Sequence, residues 1–132
     1  MKVLIIDDDQ DLTAIFVTIL KKEGFEMLTA QDGNTGIAKI KAENPDLILL
    51  DQVLPDISGN DILKKVKDDP STAHIPVIIL SNFSQKELVD EALTHGAVEY
   101  IFKYQISPMD LVGKVKEILN KKEDLPAGRQ EK

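Results

Sequence analysis

Cysteine and tryptophan are absent from this 132-residue chain. Without cysteine there is no disulfide framework, no thiolate nucleophile and no cysteine-based zinc site. That absence suits a cytoplasmic protein. Long apolar runs are missing too, and the longest fall far below the roughly 20 residues that cross a bilayer. No basic excess exists either. The formal net charge of −7 argues against direct contact with nucleic acid, whose phosphates are bound by lysine and arginine. The beginning does not read as a signal peptide, because Met1-Lys2 leads straight into a strand-like run that ends in aspartates. What remains is an acidic chain of one domain's length, with 42% hydrophobic residues from which to build a core.

The most informative feature is a repetition. Asp7, Asp8 and Asp9 stand directly behind the apolar run Val3–Ile6, and Asp51 stands directly behind Leu47–Leu50. Carboxylates at the ends of buried strands repel one another, by about 4 kcal/mol for two charges ~4 Å apart at an effective dielectric near 20. A fold that gathers them needs a cation, a proton or a reaction to offset that cost. Hard divalent ions such as Mg²⁺ take oxygen ligands of this kind.

Apolar strand-type runs alternate with helical periodicity along the chain. The strand candidates are Val3–Ile6, Met27–Ala30, Leu47–Leu50, Val77–Leu80 and Val98–Phe102. Most are nearly continuous, as expected of parallel strands covered on both faces. Between them Leu12, Ile15, Phe16, Ile19 and Leu20 fall on one helical face, as do Leu111, Val112, Val115, Ile118 and Leu119. Shorter amphipathic pieces carry Ile37/Ile40, Ile62/Leu63/Val66 and Leu88/Val89/Ala92/Leu93. Ser58, Ser84 (with Glu87 as a capping box) and Ser107 before Pro108 read as helix caps. Gly24 and Gly96 follow helices where a left-handed residue is wanted. The pattern is (βα)₅, a doubly wound parallel five-stranded sheet with right-handed crossovers and helices on both faces. Residues 1–122 form the domain in this reading, and 123–132 a polar tail.

In such a sheet the active crevice lies at the carboxyl ends of the strands. Asp7 and Asp8 follow the first strand and Asp51 the third. Ser81 and Asn82 follow the fourth, and Lys103 the fifth. Three carboxylates, a hydroxyl and an ammonium converging on one rim can hold Mg²⁺, offer a nucleophile and bind phosphoryl oxygens. Simpler roles fit other polar residues. Asp9 and Asp11 suit a helix start. Asp56 suits a turn after Pro55. His74 reads as a loop residue and His95 as a helix C-terminus.

With the acidic pair, Leu50-Asp51-x-x-Leu54-Pro55-Asp56-x-x-Gly59, Ile79-Leu80-Ser81 and Tyr100-Ile101-Phe102-Lys103 in this order, the chain resembles a response-regulator receiver domain, the CheY-like family. The resemblance covers roughly Lys2 to Lys121. It implies the flavodoxin-like strand order 2-1-3-4-5 and a stand-alone receiver that is a phosphoacceptor rather than an enzyme. Asp51 would take a phosphoryl group from a sensor histidine kinase or histidine phosphotransfer protein. Asp8, Asp51 and the Val53 carbonyl would ligate Mg²⁺ (or Mn²⁺), with Asp7 acting through water. Lys103 would pair with Asp51, Ser81 would move to a phosphoryl oxygen, and Tyr100 would change rotamer with it. Output would pass to a downstream protein target or through a homodimer formed on phosphorylation, with no nucleic acid or membrane involved.

Several positions depart from the family pattern. Tyr104 follows Lys103 where proline in a cis peptide is usual, so a trans bond and a rearranged loop are expected. Asn82 replaces a small residue. Gln52 and Val53 offer no carboxylate to orient water, which predicts slow self-dephosphorylation. Two other readings stand beside this one. Asp7-x-Asp9 also resembles the first motif of haloacid-dehalogenase-like phosphatases, and a receiver-like module can signal without phosphorylation. An EF-hand is excluded, because Leu12 stands where glycine is required and Thr18 where glutamate is.

Overall fold

The computed structural model describes residues 1–83 and 85–124, with side chains through residue 121. Strand and helix alternate from end to end: β1 (Lys2–Ile6), α1 (Gln10–Lys22), β2 (Glu26–Ala30), α2 (Gly33–Glu43), β3 (Leu47–Asp51), α3 (Gly59–Asp68), β4 (Val77–Ser81), α4 (Lys86–Thr94), β5 (Glu99–Phe102) and α5 (Pro108–Asp124). The five strands are parallel, in the order β2-β1-β3-β4-β5. Both the (βα)₅ pattern and the strand order match expectation. Val98 falls just outside β5, and α5 runs past the boundary expected after residue 122. Of the expected tail, residues 125–132 lie outside the described residues.

Strand alternation builds two cores from one sheet. Leu4, Ile6, Ile48, Leu50, Val77 and Ile79 face α2, α3 and α4 and meet Ile40, Ile62, Leu63, Val66 and Ala92. Val3, Ile5, Leu47, Leu49, Ile78 and Leu80 face α1 and α5 and meet Phe16, Leu20, Leu111, Val115 and Leu119. Each such side chain contributes about 1.5–3 kcal/mol when fully buried. Because β3 and β4 are covered on both faces, all of their residues are buried.

Two helical faces differ from expectation. Ile15 is 47% exposed, while Val17 packs partly against the core. Leu20 lies about 40° around the helix from Phe16, on the Val17 side, and this turns the buried stripe away from Ile15. On α4 only Ala92 is fully buried; Leu93, about 100° further round, is exposed.

The caps explain where helices start. Ser58 Oγ accepts from Asp61 N–H, and Ser107 Oγ from Asp110 N–H, each at 3.1 Å. Asp9 accepts from Leu12 N–H at 3.2 Å. At α4, Gln85 occupies the cap position without a side-chain hydrogen bond. Ser84, the expected cap, lies outside the described residues. Gly24 and Gly96 have φ of 96° and 101°, the left-handed geometry that ends a helix.

Candidate functional site

The carboxyl ends of β1, β3, β4 and β5 form one rim. Asp7 is the first residue past β1, and its N–H still donates to Ala30 O at 2.9 Å. That bond prolongs the sheet by one residue and points a carboxylate into a buried position, 3% exposed. Asp8 beside it is exposed. Asp51 is the last residue of β3 and is 6% exposed. The carboxylates of Asp7, Asp8 and Asp51 offer one oxygen each, all within 4.8 Å of one another. This is the gathering that the two sequence positions foreshadow. An all-oxygen donor set with one ligand open to solvent suits a hard divalent cation that keeps part of its water shell.

Lys103 is brought to this cluster by the end of β5, where its N–H donates to Ser81 O at 2.9 Å. Its ammonium is buried and lies 2.8 Å from Asp7 Oδ2, 3.0 Å from Asp7 Oδ1 and 3.3 Å from Asp51 Oδ2. Lys103 therefore pairs with Asp51 as expected but more closely with Asp7. Asp7 also accepts from Asp9 N–H at 2.9 Å.

Burial raises the Asp51 carboxyl to about 6, with further help from the Asp7 charge; the Lys103 ammonium opposes both. Burial works to lower Lys103, yet the Asp7 hydrogen bond and the charge of Asp51 outweigh it and hold the ammonium above its ordinary value. The result is a partly desolvated carboxylate that shares one buried cation with Asp7 and has the Asp8 carboxylate close by.

The remaining sequence candidates divide. Ser81 is fully buried, and its Oγ accepts from Phe83 N–H at 2.9 Å. Tyr100 is half-buried, packs on the core and donates its hydroxyl to Phe83 O at 2.9 Å. One residue, Phe83, thus ties Ser81 to Tyr100 through its backbone. Asn82 is exposed on the same rim. Tyr104 is 66% exposed and its hydroxyl donates to Asp9, which holds the Asp9 carboxyl below its ordinary range. The Lys103–Tyr104 peptide is trans, as expected. Val53, two residues after Asp51, is exposed.

Gln52 is not on the rim. It is 2% exposed, and its side chain turns inward to Asn60: Gln52 Nε2 donates to Asn60 Oδ1, and Asn60 N–H donates to Gln52 Oε1, both at 3.0 Å. Asn60 Nδ2 continues to Glu91 Oε1 on α4 at 3.0 Å. Gln52 lies just past β3 and turns to the side of Ile48 and Leu50, the face covered by α2, α3 and α4. Sequence reading passed over Asn60, whose only signal is a polar residue at a helix position that the topology buries. Asp56 also does more than turn the chain: its carboxylate accepts from Gly33 N–H at 2.7 Å and Asn34 N–H at 2.9 Å, across to α2.

The family profile described as "response regulator receiver domain" matches residues 3–116. The chain belongs to that family. Among curated receiver-containing relatives, the DNA-binding response regulator MtrA of Mycolicibacterium smegmatis is 31% identical over 126 residues, 96% of this chain and 54% of MtrA. The phosphate regulon transcriptional regulatory protein PhoB of Pseudomonas aeruginosa is 34% identical over 119 residues, 90% of this chain and 52% of PhoB. The chain thus spans about half the length of these relatives. Among solved structures, a CheY-like response regulator receiver domain protein of Methanospirillum hungatei superposes with a TM-score of 0.87 at 34% identity, covering 92% of this chain and 95% of that one. The signal receiver domain of a histidine kinase from Syntrophus aciditrophicus superposes at 0.83 with 27% identity, over 91% of this chain and 90% of that one. No helix among the described residues is long and apolar enough to cross a membrane.

Proposed function

We propose that this receiver domain accepts a phosphoryl group on Asp51 from a phosphohistidine donor and signals to a protein partner. The observation that carries this reading is the Asp51 carboxylate, buried at a strand end beside those of Asp7 and Asp8, with the Lys103 ammonium at 3.3 Å. An Asp51 Oδ attacks phosphorus; the new O–P bond forms as the P–N bond breaks, and the electron pair leaves with the imidazole. Lys103 neutralises charge on the incoming phosphoryl oxygens, a task of positioning and electrostatics rather than proton transfer. Asp8, Asp51 and the Val53 carbonyl would hold Mg²⁺ (or Mn²⁺), with Asp7 contributing through water. When bound, that cation screens the carboxylates and stabilises negative charge on the transferring group.

Asp7 is engaged by Lys103 and by Asp9 N–H, which leaves it less free than Asp51 as a nucleophile and weighs against the phosphatase reading. Ser81 would leave Phe83 N–H for a phosphoryl oxygen. Because Phe83 O also holds the Tyr100 hydroxyl, that move supplies a physical route to a Tyr100 rotamer change. The inward Gln52 and the apolar Val53 provide no group to align an attacking water, which supports a long-lived phosphoryl form. The donor would be a sensor histidine kinase or histidine phosphotransfer protein. The receiver would act on a downstream protein, directly or as a phosphorylation-dependent dimer.

Intact mass after incubation with Mg²⁺ and a small acyl phosphate tests the reading. One added phosphoryl group is expected on the parent and none on Asp51→Asn. A group that persists on Asp51→Asn, or that maps to Asp7, overturns it. No gain in a parent that binds Mg²⁺ would favour a phosphorylation-independent module. A phosphoryl form decaying within seconds at neutral pH would refute the slow-hydrolysis expectation.

A further inference from the structure

We propose that Asp56 is a positioning residue for the acceptor site. By capping α2, its carboxylate pins the β3–α3 loop that carries Val53, two residues after Asp51. The consequence for metal and phosphoryl binding rests on the phosphoacceptor reading; the mechanical tie does not.

The first three N–H groups of α2 are satisfied by carboxylates of two different origins. Thr35 N–H donates to Asp32 Oδ1 at 2.7 Å, a cap from the preceding residue of the chain. Gly33 and Asn34 donate to the two oxygens of Asp56, 23 and 22 residues further along. Such a terminus needs partners for its free N–H groups and favours negative charge. Asp56 meets both demands, and the two hydrogen bonds, that of Gly33 first, hold its carboxyl below the usual range. Space is matched as well as charge. A Cβ on Gly33 would lie 1.9 Å from Ile57 Cγ2, so glycine is what lets the loop seat against the helix.

The loop is held at its base and at its tip. At the base, Val53 and Ser58 form an antiparallel bridge and Gly59 N–H donates to Gln52 O at 2.8 Å. At the tip, Ile57 packs partly against the core while Asp56 grips α2. Loss of the Asp56 carboxylate removes the polar half of the tip anchorage and leaves Val53 on a loop fastened mainly at its base. Asp32 provides an internal control. It caps the same helix, but among the described residues it accepts from Thr35 of α2 and from none of the β3–α3 loop.

The test compares Asp56→Ala, Asp56→Asn and Asp32→Ala by two readouts. One is Mg²⁺ affinity by calorimetry, with the metal alone. The other is amide hydrogen exchange at Val53, Ser58 and Gly59 in metal-free protein. Asp56→Ala is expected to weaken Mg²⁺ binding about tenfold, the lower end for loss of an outer partner of a metal site. It should also speed exchange in the loop about tenfold through local opening. Asp56→Asn keeps one acceptor oxygen and should fall between. Asp32→Ala should leave both readouts close to the parent although it weakens the same helix. Equal effects of Asp32→Ala and Asp56→Ala, or unchanged loop exchange in Asp56→Ala, overturn the proposal. Faster loop exchange in Asp56→Ala alone, together with a parent that binds no Mg²⁺, would support the tie and refute the metal-site reading instead.

Discussion

The two ends of the parallel sheet carry the same pairing of lysine with carboxylate, to opposite effect. At the amino end, Lys2 Nζ lies 3.1 Å from Glu43 Oε1, with both side chains more than a third open to solvent on average. At the carboxyl end, Lys103 Nζ lies 2.8 Å from Asp7 Oδ2, with the two side chains 5% and 2% exposed. The distances differ little. Water screens the first pair and leaves it nearly neutral for stability. The second has lost its hydration, so each charge depends on the others. A second carboxylate, Asp51, shares the buried ammonium and unbalances the group. That excess of negative charge makes the carboxyl end a place that suits a cation, while the amino end carries a screened, balanced pair.

The largest break in this contrast should come from Lys103→Met. It leaves Asp7 and Asp51 buried without their cation, a change that typically costs about 3–5 kcal/mol. Urea unfolding in the absence of divalent metal would measure it, and millimolar Mg²⁺ should restore part of the loss by binding only the folded state. A variant as stable as the parent would mean that the carboxyl-end charges are hydrated after all.

Asp51→Asn should act in the opposite direction. With a folded-state value of about 6 against 3.8 ordinarily, Asp51 binds its proton more tightly in the folded protein. Its contribution to stability is therefore fully present below about 4 and is lost as pH rises through about 6. Above that pH the folded state bears a burden of at most about 3 kcal/mol, less where the rim admits water. Without metal, Asp51→Asn should match the parent near pH 4 and exceed it at pH 7–8. A gain independent of pH would show that the charge is not what is relieved.

Asn60→Ala should cost about 1–3 kcal/mol, because it strands the buried Gln52 Nε2 donor. The double change Gln52→Leu with Asn60→Leu should recover only part of this, because the residue-60 N–H then loses its Gln52 Oε1 acceptor. The pair carries no net charge and lies off the acidic cluster, so neither effect should depend on Mg²⁺, which sharpens the distinction between buried polarity and buried charge. At the bottom of the scale, Lys2→Ala should leave the thermal midpoint indistinguishable from the parent at physiological salt. A clear loss there would erase the contrast between the two ends.

Much of this site is legible in the amino-acid order because its residues are punctuation marks. An aspartate directly behind a continuous apolar run marks the end of a buried strand. Parallel topology sends all such ends to one side, so the residue order alone places Asp7, Asp8, Asp51, Ser81 and Lys103 on one rim. The same logic cannot show where a side chain turns once the backbone leaves the strand. Gln52 stands next to Asp51 in sequence yet points to Asn60 and α4. Asp56 reads as a turn residue yet caps a helix from 23 residues away. Ile15 fits the α1 stripe yet faces solvent, because Leu20 and Val17 draw the buried face to their side.

Periodicity, strand-end carboxylates and caps at Asp9, Ser58 and Ser107 were determined by the sequence alone, since each depends on neighbours within a turn or a strand. Tertiary structure alone decided that Lys103 favours Asp7 over Asp51, that Phe83 joins Ser81 to Tyr100, and that Asp56 reaches α2. The Lys103–Asp7, Tyr100–Phe83 and Asp56–α2 contacts join segments distant in the chain, and their direction depends on how the sheet and helices pack around them, which no local pattern encodes.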